Sequence, residues 1–113
     1  MNITTSHAGP VAVVHVSGPR LTYPNLADFS TMVVGLISQG EKKILVDLSP
    51  VNYVDSATIG CLMDLYRQAN AAGGTLKLAG VQKRVETMLT MTGAQNFIEV
   101  HPDEPSAVKS FGA

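Results

Sequence analysis

The 113-residue chain has one cysteine, no tryptophan and only 15% charged residues. Cys61, standing alone, has no internal disulfide partner, so nothing asks for an oxidising compartment and a cytoplasmic location is expected. The longest apolar runs, Val11–Val14 and Met32–Ile37, are far shorter than a bilayer span. The opening MNITTSHAGP lacks a basic segment leading into an apolar one, so neither export nor membrane insertion is expected. Eight basic residues face nine acidic ones, for a net charge of −1. The basic residues stand as dispersed singles and pairs, such as Lys42-Lys43 and Lys83-Arg84, and form no nucleic-acid footprint.

Several chemical signatures are missing too. No glycine-rich loop follows the first strands and no Gly-Lys-Ser/Thr ending occurs, which removes dinucleotide and P-loop chemistry; no cofactor is expected. A hydrolase elbow around Ser56 would need glycines where Val54 and Thr58 stand, so no catalytic residue is assigned and the chain is expected not to be an enzyme. His7, His15 and His101 lie far apart in the chain, and none pairs with a cysteine or carboxylate at metal-ligand spacing, so no metal is expected. Asp47 ends a strand-like run as a receiver's phospho-acceptor does, but Val11–Gly18 is not followed by the acidic pair that would hold Mg²⁺. Cys61 falls in the first turns of a helix, where the dipole favours a thiolate, yet beside Leu62 and Met63 it reads as a small core residue.

What is present is a repeated switch of hydrophobic period. Ile3–Ser6 and Val11–Val16 are β-branched runs around His7-Ala8-Gly9-Pro10, the pattern of a hairpin. From Asn25 the apolar positions Leu26, Phe29, Val33, Leu36 and Ile37 trace one helix face, with Gly40 at its end. Lys43–Leu48 reads as a strand. After Asp55, the stripe Ile59, Leu62, Met63, Tyr66 and Ala69 marks a second helix that stops at Gly73-Gly74. Thr75–Ala79 is a strand, Gln82–Thr92 a third helix capped by Gly93, and Phe97–Val100 a last strand. Asp103 then caps a terminal helix ending near Phe111. The order β-β-α-β-α-β-α-β-α predicts one α/β domain over residues 1–113, with a mixed, mostly parallel sheet of about five strands. Function in such sheets gathers at the carboxyl ends of the strands.

Val54-Asp55-Ser56-Ala57-Thr58-Ile59-Gly60 lies on that edge. The structural reading of Ser56 is an N-cap whose oxygen accepts from the N–H of Thr58 or Ile59, and whose loss costs ~1 kcal/mol. The chemical reading starts from Asp55, an acidic neighbour of use to a serine kinase, and from Ala57 and Gly60, small enough to leave the hydroxyl reachable. A phosphate there meets the positive end of the helix dipole, so the fold tolerates it while an acidic partner does not.

The chain resembles the STAS (sulfate transporter and anti-sigma factor antagonist) domains along nearly its whole length. The likeness rests on Val13–Gly18 followed by Leu21, on ILVDLSPVNYVDSATIGCL, GGTLKLAGV and VETMLTMTGAQNFIEV, and on the Glu104–Phe111 helix. The resemblance implies an anti-sigma factor antagonist. Its unphosphorylated form would bind an anti-sigma factor that is itself a serine kinase, releasing the sigma factor. Phosphorylation at Ser56, or less readily at Thr58, would block binding, and a phosphatase would restore it. It also implies a docking face of Leu21, Thr22, Asp55, Ser56, Ala57, Thr58 and Gly60. The chain departs from the family pattern at Thr22, where many members carry an Asp, and at Thr58, where Gly or Ser is frequent. The alternative is a STAS module that is not phosphorylated and serves as a scaffold subunit of a transport or signalling assembly.

Overall fold

A computed structural model describes residues 2–112. The hairpin forms as the β-branched runs require. Strands β1 (Asn2–Ala8) and β2 (Val11–Ser17) pair antiparallel across a two-residue turn, where Gly9 takes a positive φ of 60°. Strands β4 (Lys43–Asp47), β6 (Thr75–Ala79) and β7 (Val100–His101) then add in parallel to give the order β1-β2-β4-β6-β7. The mixed, mostly parallel sheet of five strands is thus the one the sequence predicts.

Alternation along the central strands sorts the core into two layers. Ala12, Val14, Val16, Ile44, Val46, Leu76 and Leu78 face helices α1 (Tyr23–Ser38), α2 (Ser56–Ala71) and α3 (Lys83–Thr92). Val11, Val13, Leu45 and Ala79 face the other way, onto Ala107 of α4 (Glu104–Ser110). Being covered on both faces, β2 and β4 read as continuous apolar runs. Lys77 lies on the α4 face, 8% exposed; its Nζ donates to the Ser110 hydroxyl (3.0 Å), pairs with Glu99 (3.4 Å) and sits 4.5 Å from the Phe111 ring centroid. The α4 end is thereby tied to the sheet.

Four elements differ from the sequence reading. Helix α1 begins at Tyr23 rather than Asn25, because Pro24 fits the first turn of a helix, where no N–H partner is needed. The strand expected over Phe97–Val100 is reduced to Val100–His101: Gly93, at φ 79°, turns the chain into a short 3-10 turn at Ala94–Asn96, and Phe97 is left 61% exposed. Two further strands, β3 (Arg20–Leu21) and β5 (Tyr53–Val54), pair parallel as a separate two-stranded sheet. Each is too short to show a period, and this small pair carries the residues that lead into α1 and α2.

Candidate functional site

Strand β5 delivers the chain to Asp55, and the structure corrects the expected cap. Asp55, in extended backbone (φ −101°, ψ 175°), is the N-cap of α2; Ser56 is the first helical residue and its hydroxyl takes no part in the cap. A carboxylate with two oxygens can serve more donors than a hydroxyl can, and Asp55 uses both. Its Oδ1 accepts from the Thr58 N–H (2.9 Å) and the Thr58 hydroxyl (2.7 Å), while its Oδ2 accepts from the Tyr23 N–H (2.9 Å). Tyr23 is the first residue of α1, so one side chain caps two helices. Thr22, the residue preceding α1, makes no side-chain cap of its own. Partial desolvation raises the Asp55 pKa, but the hydrogen bonds from Thr58 and Tyr23 outweigh it and hold the carboxyl below its ordinary value.

Thr58 is fully buried, and the single proton of its hydroxyl is shared between Asp55 Oδ1 and the Leu21 carbonyl (2.8 Å). Of the two expected phosphate acceptors, Thr58 is thus the one whose oxygen is engaged inside the fold. Leu21 is also fully buried and supports the site from beneath. Ser56, Ala57 and Gly60 are exposed, and Thr22 is half-buried. Of the residues assigned to a docking face, Asp55, Ser56, Ala57 and Gly60 come together at the start of α2, with Thr22 across from them at the start of α1.

Sequence reasoning missed the apolar ground beside Ser56. A hollow of about 130 Å³ is lined by Ser56, Ile59, Met88, Met91 and Thr92. A second, of about 80 Å³, continues it through Ile59, Met63, Thr92 and Phe97. Met91 is 81% exposed, so the long side of this trough faces solvent. Its signal was available in the methionines of α3, whose helical spacing brings Met88 inward and Met91 beside it. A larger hollow, about 460 Å³, lies between β1 and α1 and includes none of these residues. Arg20 and Arg84 also converge near the site, with guanidinium carbons 4.5 and 5.5 Å from the Tyr53 ring centroid.

Cys61 is half-buried; burial, with the Asp64 charge, pushes its thiol pKa up, as fits a residue packed against the core. The histidines do not stand apart as their spacing implies. His7 pairs with Glu41 (2.7 Å), His101 with Glu99 (3.1 Å), and His15 faces both Asp47 and Glu104. For His7 and His15 the fold brings together what the chain separates.

The model of the STAS domain family matches residues 2–107. A protein of Thermotoga neapolitana, named as a candidate anti-sigma factor antagonist homologue, is 28% identical over 65 residues. That match spans 58% of this chain and 58% of the relative's length. Among solved structures, an anti-sigma-factor antagonist (STAS) domain protein from Planctomyces limnophilus superposes with a TM-score of 0.88 at 18% identity, covering 98% of both chains. The phosphorylated form of the Bacillus cell fate determinant SpoIIAA superposes with a TM-score of 0.74 at 15% identity, covering 97% of this chain and 99% of its own. At these identities the superpositions establish a common fold. No helix of the described residues is long and apolar enough to cross a membrane.

Proposed function

The chain belongs to the STAS domain family, and from that premise we propose that it is an anti-sigma factor antagonist switched by phosphorylation of Ser56. The observation that carries this reading is the division of labour at the start of α2. Asp55 does the capping, which leaves the Ser56 hydroxyl exposed and unneeded by the fold.

In this reading the unphosphorylated domain docks an anti-sigma factor kinase on the start of α2. The apolar trough beside Ser56 receives part of the partner. The partner brings the ATP, transfers phosphate to Ser56 and is released; a phosphatase reverses the step. The protein is then a substrate and a ligand, without a catalytic residue or cofactor of its own. A phosphate at Ser56 sits at the positive end of α2 and leaves the bonds of Asp55 to Thr58 and Tyr23 in place. Against a partner carboxylate ~4 Å away, at an effective dielectric of ~20, each unit of added charge costs about 4 kcal/mol, several hundredfold in affinity. The switch thus acts on the interface while sparing the fold.

The test is affinity purification from the native cell with phosphopeptide mapping, followed by binding assays with the captured kinase. Phosphate is expected on the Ser56 peptide. Ser56→Asp should lower kinase affinity at least about a hundredfold. Ser56→Ala should bind normally, never accept phosphate, and unfold within ~0.5 kcal/mol of the parent, because the residue is not the cap. Undiminished binding by Ser56→Asp refutes the switch. Co-purification with a transport ATPase and an unmodified Ser56 would replace it with the scaffold reading.

A further inference from the structure

We propose that His15, Asp47 and Glu104 form a binding site for one divalent transition-metal ion of the zinc type. The three come from separate elements: His15 and Asp47 from the carboxyl ends of neighbouring strands β2 and β4, Glu104 from the first turn of α4. One ligand atom from each lies within 4.8 Å of the others. His15 Nδ1 is 3.9 Å from Asp47 Oδ2 and 3.7 Å from Glu104 Oε1, too far for hydrogen bonds. A tetrahedral ion with ligands at about 2.0–2.2 Å sets neighbouring ligand atoms ~3.3–3.6 Å apart, so the side chains need to close by only a few tenths of an ångström to hold one.

The imidazole makes this more than a meeting of two acids. Its far nitrogen, Nε2, lies 2.9 Å from the Ser6 hydroxyl on β1. With Ser6 accepting the Nε2 proton, Nδ1 is an unprotonated acceptor within 4 Å of an oxygen of each carboxylate. Three acceptors then face one another, an arrangement a cation resolves. A nitrogen with two carboxylate oxygens suits Zn²⁺ and its transition-metal neighbours better than Ca²⁺ or Mg²⁺, which favour oxygen-only sets. Side-chain exposures of 37% for His15, 16% for Asp47 and 37% for Glu104 leave an entry path and room for water in the remaining coordination positions. Lys77 ties down the far end of α4; an ion here would tie down its beginning.

Titrating ZnCl₂ into the full chain by calorimetry, with thermal melting in parallel, tests the site. One equivalent should bind and raise Tm, CaCl₂ should do neither, and Co²⁺ should give the visible absorption of a nitrogen–oxygen site. Removing a ligand should cost at least the ~10–100-fold in affinity that losing an outer partner does, so His15→Ala and Glu104→Gln should both fall by that much or more. Ser6→Ala should weaken binding about tenfold by freeing the ring. His7→Ala, His101→Ala and Cys61→Ser should leave it unchanged. If His15→Ala fails to fold, Glu104→Gln decides. No saturable binding below the millimolar range, unchanged affinity in Glu104→Gln, or loss of binding in His7→Ala, His101→Ala or Cys61→Ser each overturns the proposal.

Discussion

Asp55→Ala should be among the most destabilising changes available at a solvent-accessible position of this protein. The substitution removes acceptors for the Thr58 N–H, the Thr58 hydroxyl and the Tyr23 N–H, at 2.9, 2.7 and 2.9 Å. It thereby uncaps α2 and α1 together. At about 1 kcal/mol per lost cap, plus a few tenths at each end for the charge facing two helix dipoles, the loss comes to about 2–3 kcal/mol. For a domain of this size that lowers Tm by roughly 8–12 °C. Asp55→Asn separates the two roles. Its single carbonyl oxygen can cap one helix while its amide faces an N–H at the other, so about half the loss is expected.

Acid supplies an independent reading of the same residue. Its hydrogen bonds hold the Asp55 carboxyl below its ordinary value, so over that window the folded protein binds fewer protons than the unfolded chain and stability rises with pH. The Asp55 contribution is complete above the ordinary carboxyl value of about 3.9 and is lost as pH falls through the lower folded value. Urea unfolding at pH 7 and at pH 3 measures both effects. The gap between the parent and Asp55→Asn should shrink in acid, while the decline shared by both reports Glu99 and Asp103, which are also held low. If both variants lie within ~0.5 kcal/mol of the parent at pH 7, or if the gap is independent of pH, the double cap is refuted.

Two further substitutions probe the supports around the site. Thr58→Val keeps the side-chain shape but leaves the buried Leu21 carbonyl without its donor; it should cost about 1–3 kcal/mol by urea unfolding, and Thr58→Ser should recover most of it. Gly74→Ala should cost about 1–3 kcal/mol or more, because an added Cβ would collide with the Lys42 backbone, whose carbonyl must stay in place to accept from the Thr75 N–H at 2.8 Å; a Tm within 2 °C of the parent would show that this turn yields freely.

The fold was legible where pattern and length agree. Val11–Val16 and Lys43–Leu48 announced central strands because both of their faces are covered, and Gly93 and Asp103 marked helix ends by chemistry that acts within a turn. Strands β3 and β5 were not legible, since two residues carry no period and their pairing joins Arg20 to Tyr53. The start of α2 was located to within one residue, but that residue decided the chemistry. Adjacent Asp55 and Ser56 are both good caps by type, and only the Tyr23 N–H, 32 positions away in the chain, favours the side chain with two acceptor oxygens. The His15, Asp47 and Glu104 cluster was hidden for the same reason: strand register and the return of α4 place it, and neither shows in local spacing.

That one-residue displacement changes what a switch at this site requires. A serine that capped α2 would bring its own oxygen into the helix-start hydrogen bonds, and every cycle of phosphorylation would disturb the same contacts that hold α1 and α2 in register. With Asp55 as the cap, those contacts run inward through Thr58 to the buried Leu21 carbonyl and, at the surface, through the Tyr23 N–H to α1. Ser56 stands outward of them on the exposed side, next to the apolar trough of Ile59, Met88 and Met91. A charge added there confronts whatever occupies the trough and meets no buried group of the fold. Under the proposed switch the domain would therefore change its affinity for a partner by orders of magnitude while its own stability hardly moved, because binding and folding would draw on different atoms of neighbouring residues.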